Sequence, residues 1–486
     1  MDRVEAEAIY DSGREACVQF ILDLAARVRE MDERLSRLEA AAGQDSRSSS
    51  TPPSSDPPKT RAERRAQARA KAKELMRSEG ERRNAGGQSG HRGAGRDLKP
   101  GDQVDEIVDH YPDACGGCGR RFDDGQRWAA GRFGRHQVCE LPPISVIVTE
   151  HRTHQLRCRR CRARTSARLP ELVAASAFGP RLQAAVVTLT ARHRISRRGI
   201  CELAHDLFGA WLSTGAVDGI CQRASAALAG PHCQLQDWVL GQDAVHVDET
   251  GWRTRGEGRA LWTATTPEAT FLQIAEHCNR EQFDALIGTT YPGIVVSDRW
   301  NGYSHLDPHQ RQVCWSHIQR DFRRHADGLA EQKTFGEQGL KLTGRVFAAW
   351  RAYRHGHHDR DRLKREIAPI QTELRALLTD ASPKSKRTRW HRRFANNLLK
   401  VWPALWTFTT IDGVEPTNNP AERALRAPVI HRKVSLGTQS QDGERFAERA
   451  LSAAATCRLQ RRSLFTYLSD LITTHARGDP FPTLAA

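Results

Sequence analysis

The stretch "DAVHVDETGWR", Asp243–Arg253, decides how this chain is read. Small and β-branched residues make its first half a strand, yet it runs into Asp248 and Glu249. A carboxylate set where a buried strand surfaces is costly unless it meets a cation, a proton or a partner; a solvated strand end is the plain alternative. Two further strands are expected in "GRALWTATT" (258–266) and "ATFLQIAEH" (269–277). A helix then follows in "NREQFDALIG" (279–288) and a strand in "GIVVSD" (293–298), which closes on Asp298.

Beyond "QRQVCWSHIQRDF" (310–322) the apolar spacing predicts long helices. Leu342, Val346, Trp350 and Tyr353 share one face; Leu363, Ile367, Ile370, Leu374 and Leu377 share another. "NPAERALRAPVIHRK" (419–433) starts a further helix, with Asn419 as N-cap and Pro420 at the first helical position, so that Glu422 lies one turn in. Strand, strand, helix is the order in which ribonuclease-H-like nucleases and transposases bring three carboxylates onto two divalent ions. Phosphodiester hydrolysis or exchange needs an activated oxygen nucleophile and charge stabilisation on the leaving oxygen, which two ions roughly 4 Å apart supply. Mg²⁺ takes hard oxygen ligands, so carboxylates rather than Cys or His suit it. Each acid also has a structural explanation. Glu422 fits a capping box and can pair with Arg426, and Asp298 before "RWNGY" can cap a turn. His317 in "CWSH" reads first as a satisfied structural histidine, with a place near the acids as the alternative.

At 486 residues the chain is long enough for two or more domains, each with its own core. Lys and Arg number 74 against 58 Asp and Glu, a net charge of +16 that points to a polyanionic partner. No run approaches the roughly 20 apolar residues of a membrane span, and "MDRVEAEAIY" lacks the basic and apolar regions of a signal peptide. A cytosolic protein is expected, with nucleic acid rather than a membrane as partner. In a reducing compartment its 12 Cys should be thiols or metal ligands.

Near the N-terminus Ile21, Leu24, Val28, Met31, Leu35 and Leu38 alternate steps of three and four, the pattern of a short coiled coil. In a parallel pair Arg27 and Arg34 would fall at g, with Asp32 and Glu39 at the facing e positions, which favours a homodimer. A single amphipathic helix packed on its own chain is the alternative. "GQDSRSSSTPPSSDPPKT" (43–60) reads as a flexible linker. The Ala-rich basic stretch that follows, with Arg64, Arg65, Arg69, Lys71, Arg82 and Arg83, ends in a Gly-rich arm suited to phosphate contacts, or forms a solvated charged helix.

"CGGC" and "CRRC" repeat one spacing at Cys115, Cys118, Cys158 and Cys161. The segment between them, "HQVCELPPISVIVTEHRTHQLRC" (136–158), reads as strands and a turn. Two such knuckles make a closed, tetrahedral structural zinc site. Two unrelated thiol pairs are the alternative, and His136, Cys139, His151 or His154 could replace one ligand. From Phe178 to about Leu228 the pattern is helical. "SRRGICELAHDLFGAWLSTGAVDGICQRASAAL" pairs two amphipathic stretches across a break, with Ser213 or Thr214 suited to cap the second. This is similar to a helix-turn-helix carrying Arg197 and Arg198 on its first element, though many helical hairpins look the same.

Several stretches together resemble the transposase of the insertion-sequence sixty-six family, the large DDE-type subunit of bacterial mobile elements. They are "SSSTPPSSD" and "GGQSGHRG", "CGGC" and "ELPPISVIVTEHRTHQLRCRRC", "VDETGWR", "SDRWNGY", "CWSHIQRDF", and "NNPAERALR" with "HRK", in the family's order. The stretch "VSLGTQSQDGERF" (434–446) departs from it, being more polar than the aromatic version of many members.

The resemblance implies a multidomain α/β protein: a coiled coil (1–42), linker and basic arm (43–101), zinc-binding β module (102–168) and helix-turn-helix-like region (175–235). A ribonuclease-H-like core (240–325) is interrupted by a helical insertion (326–412) and resumes in the helix of the third acid (413–435), before a C-terminal helical segment (436–486). It further implies Asp248, Asp298 and Glu422 as the ligands of Mg²⁺ or Mn²⁺, with Glu249 a neighbour. Arg423, Arg426, Arg432 and Lys433 would face phosphates. The expected activity is metal-dependent cleavage and strand transfer at the ends of an insertion sequence, with accessory proteins of the same element as possible partners. A dimeric zinc-containing repressor without activity, or a nuclease that does not rejoin ends, are the alternatives.

Overall fold

The computed structural model describes residues 10–42, 97–128, 134–174, 176–385, 388 and 390–485. Its chain divides into two compact units, residues 58–145 and the remainder.

The larger unit is built on a five-stranded mixed sheet. In chain order the strands of the unit are β1 (Gln155–Arg157), β2 (Arg164–Ser166), β3 (Ala244–Thr254), β4 (Glu257–Thr265), β5 (Thr270–Ala275), β6 (Ile294–Ser297) and β7 (Arg311–Val313). The sheet runs β5-β4-β3-β6-β7, and β1 pairs only with β2. Tight connections join β3, β4 and β5 into an antiparallel meander, whereas β6 and β7 run parallel to β3. Alternation along β3 settles its two faces. Val245 and Val247 enter one core with Trp262 and Phe271, while Trp252 enters another with Leu261, Leu272 and Leu425.

Helices cover both faces. Pro180–Ala191, Arg197–Phe208, Thr214–Ala227 and Ala229–Leu240 precede the sheet, and Val187, Ile220 and Leu235 join the core of Val245 and Val247. The helix Ser213 caps is the third of these, through Oγ accepting the Ala216 N–H at 3.0 Å. A second core is made by Trp315–Ala326, Ala330–Arg354, Arg360–Ala381 and Arg392–Lys400 against Ile294, Val296 and Val313. Leu342 and Val346 lie on its buried side with Leu363, Ile367, Ile370 and Leu374, as their spacing predicts.

The outer edge of β5 presents unpaired N–H groups, which invite pairing with another chain. The helix Gln441–Leu459 covers it: Thr456 Oγ1, Ser452 Oγ and Glu448 Oε1 accept from the N–H groups of Thr270, Leu272 and Ile274 at 3.1, 2.9 and 2.7 Å. Positions four apart on a helix thus meet positions two apart on a strand, because both spacings are close to 6 Å. The last helix is Leu464–Arg477.

Arg14–Ala42 is one helix, with Ile21, Leu24, Val28 and Met31 all exposed. The side chains of Asp32, Leu35, Leu38 and Glu39 lie outside the described residues, as do Arg64, Arg65, Arg69, Lys71, Arg82 and Arg83.

The strands expected across 136–158 do not form, apart from β1 at the very end. Val138, Leu141, Ile147 and Val148 are exposed, and Pro142 and Pro143 remove two ladder donors. A β-rich composition makes a strand only where a neighbour is available to pair with it.

Candidate active site

Register places the first two acids together. His246 of β3 pairs with Val296 of β6 in parallel, so two residues beyond that pair Asp248 on β3 and Asp298, one residue past the end of β6, come level. Asp248 shares the face of His246 and Trp252, toward the helix that carries Glu422. Glu249 faces the other way and accepts a hydrogen bond from the Tyr303 hydroxyl at 2.5 Å, making it a neighbour of the acids above. Asp298 also does what its turn-capping reading suggests: Oδ1 accepts from the Trp300 N–H at 2.8 Å. Holding the turn and facing Asp248 are compatible, since a carboxylate has two oxygens and four lone-pair directions.

The third acid arrives on the helix Asn419–Ser435, whose N-cap is Asn418 rather than the expected Asn419. Asn418 makes no side-chain cap bond. Its amide reaches across to β3 instead, with Nδ2 donating to the Val247 carbonyl at 2.7 Å and Oδ1 lying 3.2 Å from His246 Nδ1. Its backbone N–H points to Cys314 Sγ at 3.1 Å, and its carbonyl accepts from the Glu422 N–H at 3.2 Å. Asn418 is fully buried and ties the first turn of this helix to the strand of Asp248, which fixes Glu422 opposite the aspartates. A capping box on Asn419 is therefore not what holds Glu422.

The electrostatics follow from crowding. Burial, then the neighbouring charges of Glu249 and Asp298 and more weakly Glu422, push the Asp248 carboxyl well above the usual range, against the Glu249 N–H that donates to it. Burial raises Glu249 from 4.5 to about 7, with the Tyr303 hydroxyl opposing and Asp298 adding to it. Carboxylates brought this close repel unless a cation sits among them. An all-oxygen set is what Mg²⁺ or Mn²⁺ prefers, so the donor chemistry of these residues suits such an ion, although as they stand the oxygens of Asp248, Asp298 and Glu422 are not all within 4.8 Å of one another.

His317 belongs to this site and is not a satisfied structural residue. Its Nδ1 is buried without a hydrogen-bond partner, 3.7 Å from Glu422 Oε1. Burial and then Arg320 hold its pKa below the usual value, against the pull of Asp298 and Glu422. Arg320 lies 3.5 Å from Glu422 Oε1 and 3.4 Å from His317 Nε2. The alternative reading of His317, a place near the acids, is the one the fold supports, and the three-residue spacing of His317 and Arg320 on one helix is a further signal for it.

Of the basic residues, Arg423, Arg426 and Lys433 are exposed along the Glu422 helix, and Arg432 is half-buried. Arg198 is exposed, whereas Arg197 is engaged with Asp218, at 3.0 Å from Nε. The polar loop after this helix is strapped to β3. The Thr438 N–H donates to the Arg253 carbonyl and the Arg255 N–H to the Thr438 carbonyl, both at 2.9 Å. Gly437 enables this approach, with φ at +95° and the Arg253 oxygen 2.1 Å from where a Cβ would stand.

The two CxxC motifs share one local geometry. The Cys115 N–H donates to the Arg120 carbonyl at 2.8 Å and the Gly119 N–H to the Cys115 carbonyl at 2.9 Å. Cys158 repeats this with Ala163 and Arg162 at 2.8 and 2.9 Å, and Gly119 and Arg162 both adopt positive φ. N–H groups of Cys118 and Gly117 lower the Cys115 thiol, and those of Cys161 and Arg160 lower Cys158. Each loop thus favours a thiolate, the form that binds zinc.

Two uncharacterized proteins of Sinorhizobium fredii (strain NBRC 101917 / NGR234) are similar to this chain. With y4hP it is 23% identical over 407 residues, 76% of this chain and 71% of that protein. With y4qI it is 24% identical over 219 residues, 40% of this chain and only 38% of that protein. A family of unknown function, DUF6444, matches residues 3–97. The model described as Transposase IS66 family matches residues 175–445, a span that begins ahead of β3 and runs through Asp248, Asp298 and Glu422 to the start of the helix covering β5. Since that match takes in more than half of the sequence, the chain belongs to the IS66 transposase family.

Proposed function

We propose that this chain is a DDE-type DNA transposase that cuts and joins strands at the ends of an insertion sequence. The observation that carries the reading is the placement of Asp248 on β3, Asp298 just past the end of the parallel β6 and Glu422 one turn into a helix, near enough that the charges of Asp298 and Glu422 act on Asp248, in a sheet ordered β5-β4-β3-β6-β7. That order, three antiparallel strands followed by two parallel to the first, supports a ribonuclease-H-like core whose second and third acids are separated by a helical insertion. Mg²⁺ or Mn²⁺, when bound, supplies charge stabilisation and activation of the attacking oxygen. Asp248 and Asp298 would hold the ions and Glu422 would complete a coordination sphere. Asn418 keeps Glu422 in register with Asp248. Exposed Arg423, Arg426 and Lys433, with Arg432, extend positive charge along the Glu422 helix, where it suits a phosphate backbone.

In the first step water attacks a phosphodiester and frees a 3′ hydroxyl at the element's end. In the second that hydroxyl attacks a target phosphodiester, and one target 3′ oxygen leaves, so the number of phosphodiester bonds is conserved. The exposed apolar positions of Arg14–Ala42 support a parallel homodimer through a coiled coil. The knuckle geometry around Cys115 with Cys118, and separately around Cys158 with Cys161, supports a metal-binding role for each pair, which the sequence reading assigns to a structural Zn²⁺. The test is Asp248→Asn, compared with wild type for binding and for joining of labelled element ends. Strand transfer should disappear while end binding persists; a mutant that still joins ends would refute the triad assignment.

A further inference from the structure

Cys314, His317 and Glu422 lie side by side, with Sγ, a ring nitrogen and a carboxylate oxygen all within 4.8 Å of one another. Among the described residues no other group of three such side chains is this close. We propose that these three form a separate transition-metal site, of the kind that takes Zn²⁺ or Co²⁺, sharing Glu422 with the carboxylate triad.

The donor set argues for the ion class. One sulfur, one imidazole nitrogen and one carboxylate oxygen form a borderline-soft set that zinc favours and magnesium does not. Three protein ligands with an open fourth position describe an accessible zinc site rather than a closed structural one. The frame is stiff. Cys314 is the N-cap of the helix Trp315–Ala326 and His317 sits three residues on, the helical spacing that stacks two side chains on one face. Cys314 Sγ accepts the Asn418 N–H at 3.1 Å, which opposes the burial that pushes its thiol up to about 11; a metal ion deprotonates a coordinating thiol outright. His317 Nδ1 is buried, has no hydrogen-bond partner and faces Glu422 at 3.7 Å. Bonds of about 2.0–2.3 Å at tetrahedral angles put donor atoms about 3.5 Å apart, so the group needs to contract by about 1 Å. Glu422, a third exposed, has the freedom to make that move. Arg320 now stands 3.5 Å from the same carboxylate oxygen and would yield it to the ion.

A consequence rests on the transposase reading: an ion held here takes the carboxylate that the Mg²⁺ triad needs, so the two occupancies exclude each other. The site itself is tested without reference to activity. The full-length protein, purified with its zinc, is titrated with Co²⁺, and the thiolate-to-cobalt charge-transfer absorption is recorded for wild type, Cys314→Ser and His317→Ala. Wild type should gain one further equivalent of thiolate-bound Co²⁺; Cys314→Ser should lose that absorption, and His317→Ala should weaken binding at least about tenfold. Thermal melting checks that each variant is folded, and His317→Ala, which alters a partly exposed side chain, decides the matter if Cys314→Ser does not fold. Absence of the extra equivalent in wild type, or its retention with unchanged affinity in folded His317→Ala, would overturn the site. Either result is independent of whether the protein joins DNA.

Discussion

Replacing Asn418 with alanine should cost far more than replacing Asn419, although sequence rules point to Asn419 as the cap. Asn418→Ala strips the Val247 carbonyl of its 2.7 Å donor and His246 Nδ1 of its 3.2 Å partner, both at a position closed to water. A buried polar group left unsatisfied costs about 1–3 kcal/mol, so two such losses come to about 3 kcal/mol. Asn419 offers only a 3.5 Å contact to Ser316 Oγ and is half-buried, so Asn419→Ala should stay within about 0.5 kcal/mol of wild type. Urea denaturation of the full chain, followed by tryptophan fluorescence, reads the difference at constant slope. Trp252, Trp262 and Trp315 are buried in the cores on the two sides of β3 and report on this unit. A cost below about 1 kcal/mol for Asn418→Ala, or equal costs at both positions, would refute the clamp.

Three further outcomes are expected. Burial raises Glu448 from its ordinary 4.5 to about 7, so as pH rises through that window the unfolded chain ionises first and stability falls, by at most about 3 kcal/mol. Glu448→Gln keeps an oxygen to accept the Ile274 N–H but cannot ionise, so it should flatten the pH 4.5–7 decline relative to wild type in the same denaturation assay; an unchanged decline would assign it to other groups. Val28→Glu, placed in the exposed apolar stripe of the N-terminal helix, should convert a dimer to a monomer by light scattering; an unchanged mass would refute the coiled coil. Zinc removal, verified by elemental analysis, should weaken specific end binding, and unchanged binding after that loss would sink the role given to the cysteines.

What is legible in the sequence is what depends on neighbours along the chain. Asp248 and Asp298 can be found because each closes an apolar run, and Ser213 because a cap is a local hydrogen bond. The pair Asn418–Asn419 before Pro420 is ambiguous by the same local rules, since proline is tolerated in either register. Only the placement of β3 decides it, through Val247 and His246, residues remote in sequence. For His317 the sequence offers both a structural role and a place near the acids, and only the fold decides between them, because its neighbour Glu422 lies on a different helix. Arg197 reads as a free basic residue, but the fold brings Asp218 to it. The strand β7 covers only three residues, too few for a period to register, and the apolar stretch after Pro143 has the composition of a strand without a neighbour to pair with.

The most direct measurement incubates the purified protein with labelled DNA from both ends of its element and a target plasmid, with Mg²⁺ or with EDTA, for wild type and Glu422→Gln. The account predicts joined products that need the metal and vanish in the variant. Joining that survives EDTA or Glu422→Gln, or specific binding with no cleavage in Mg²⁺ even after the element's other proteins are added, would contradict it.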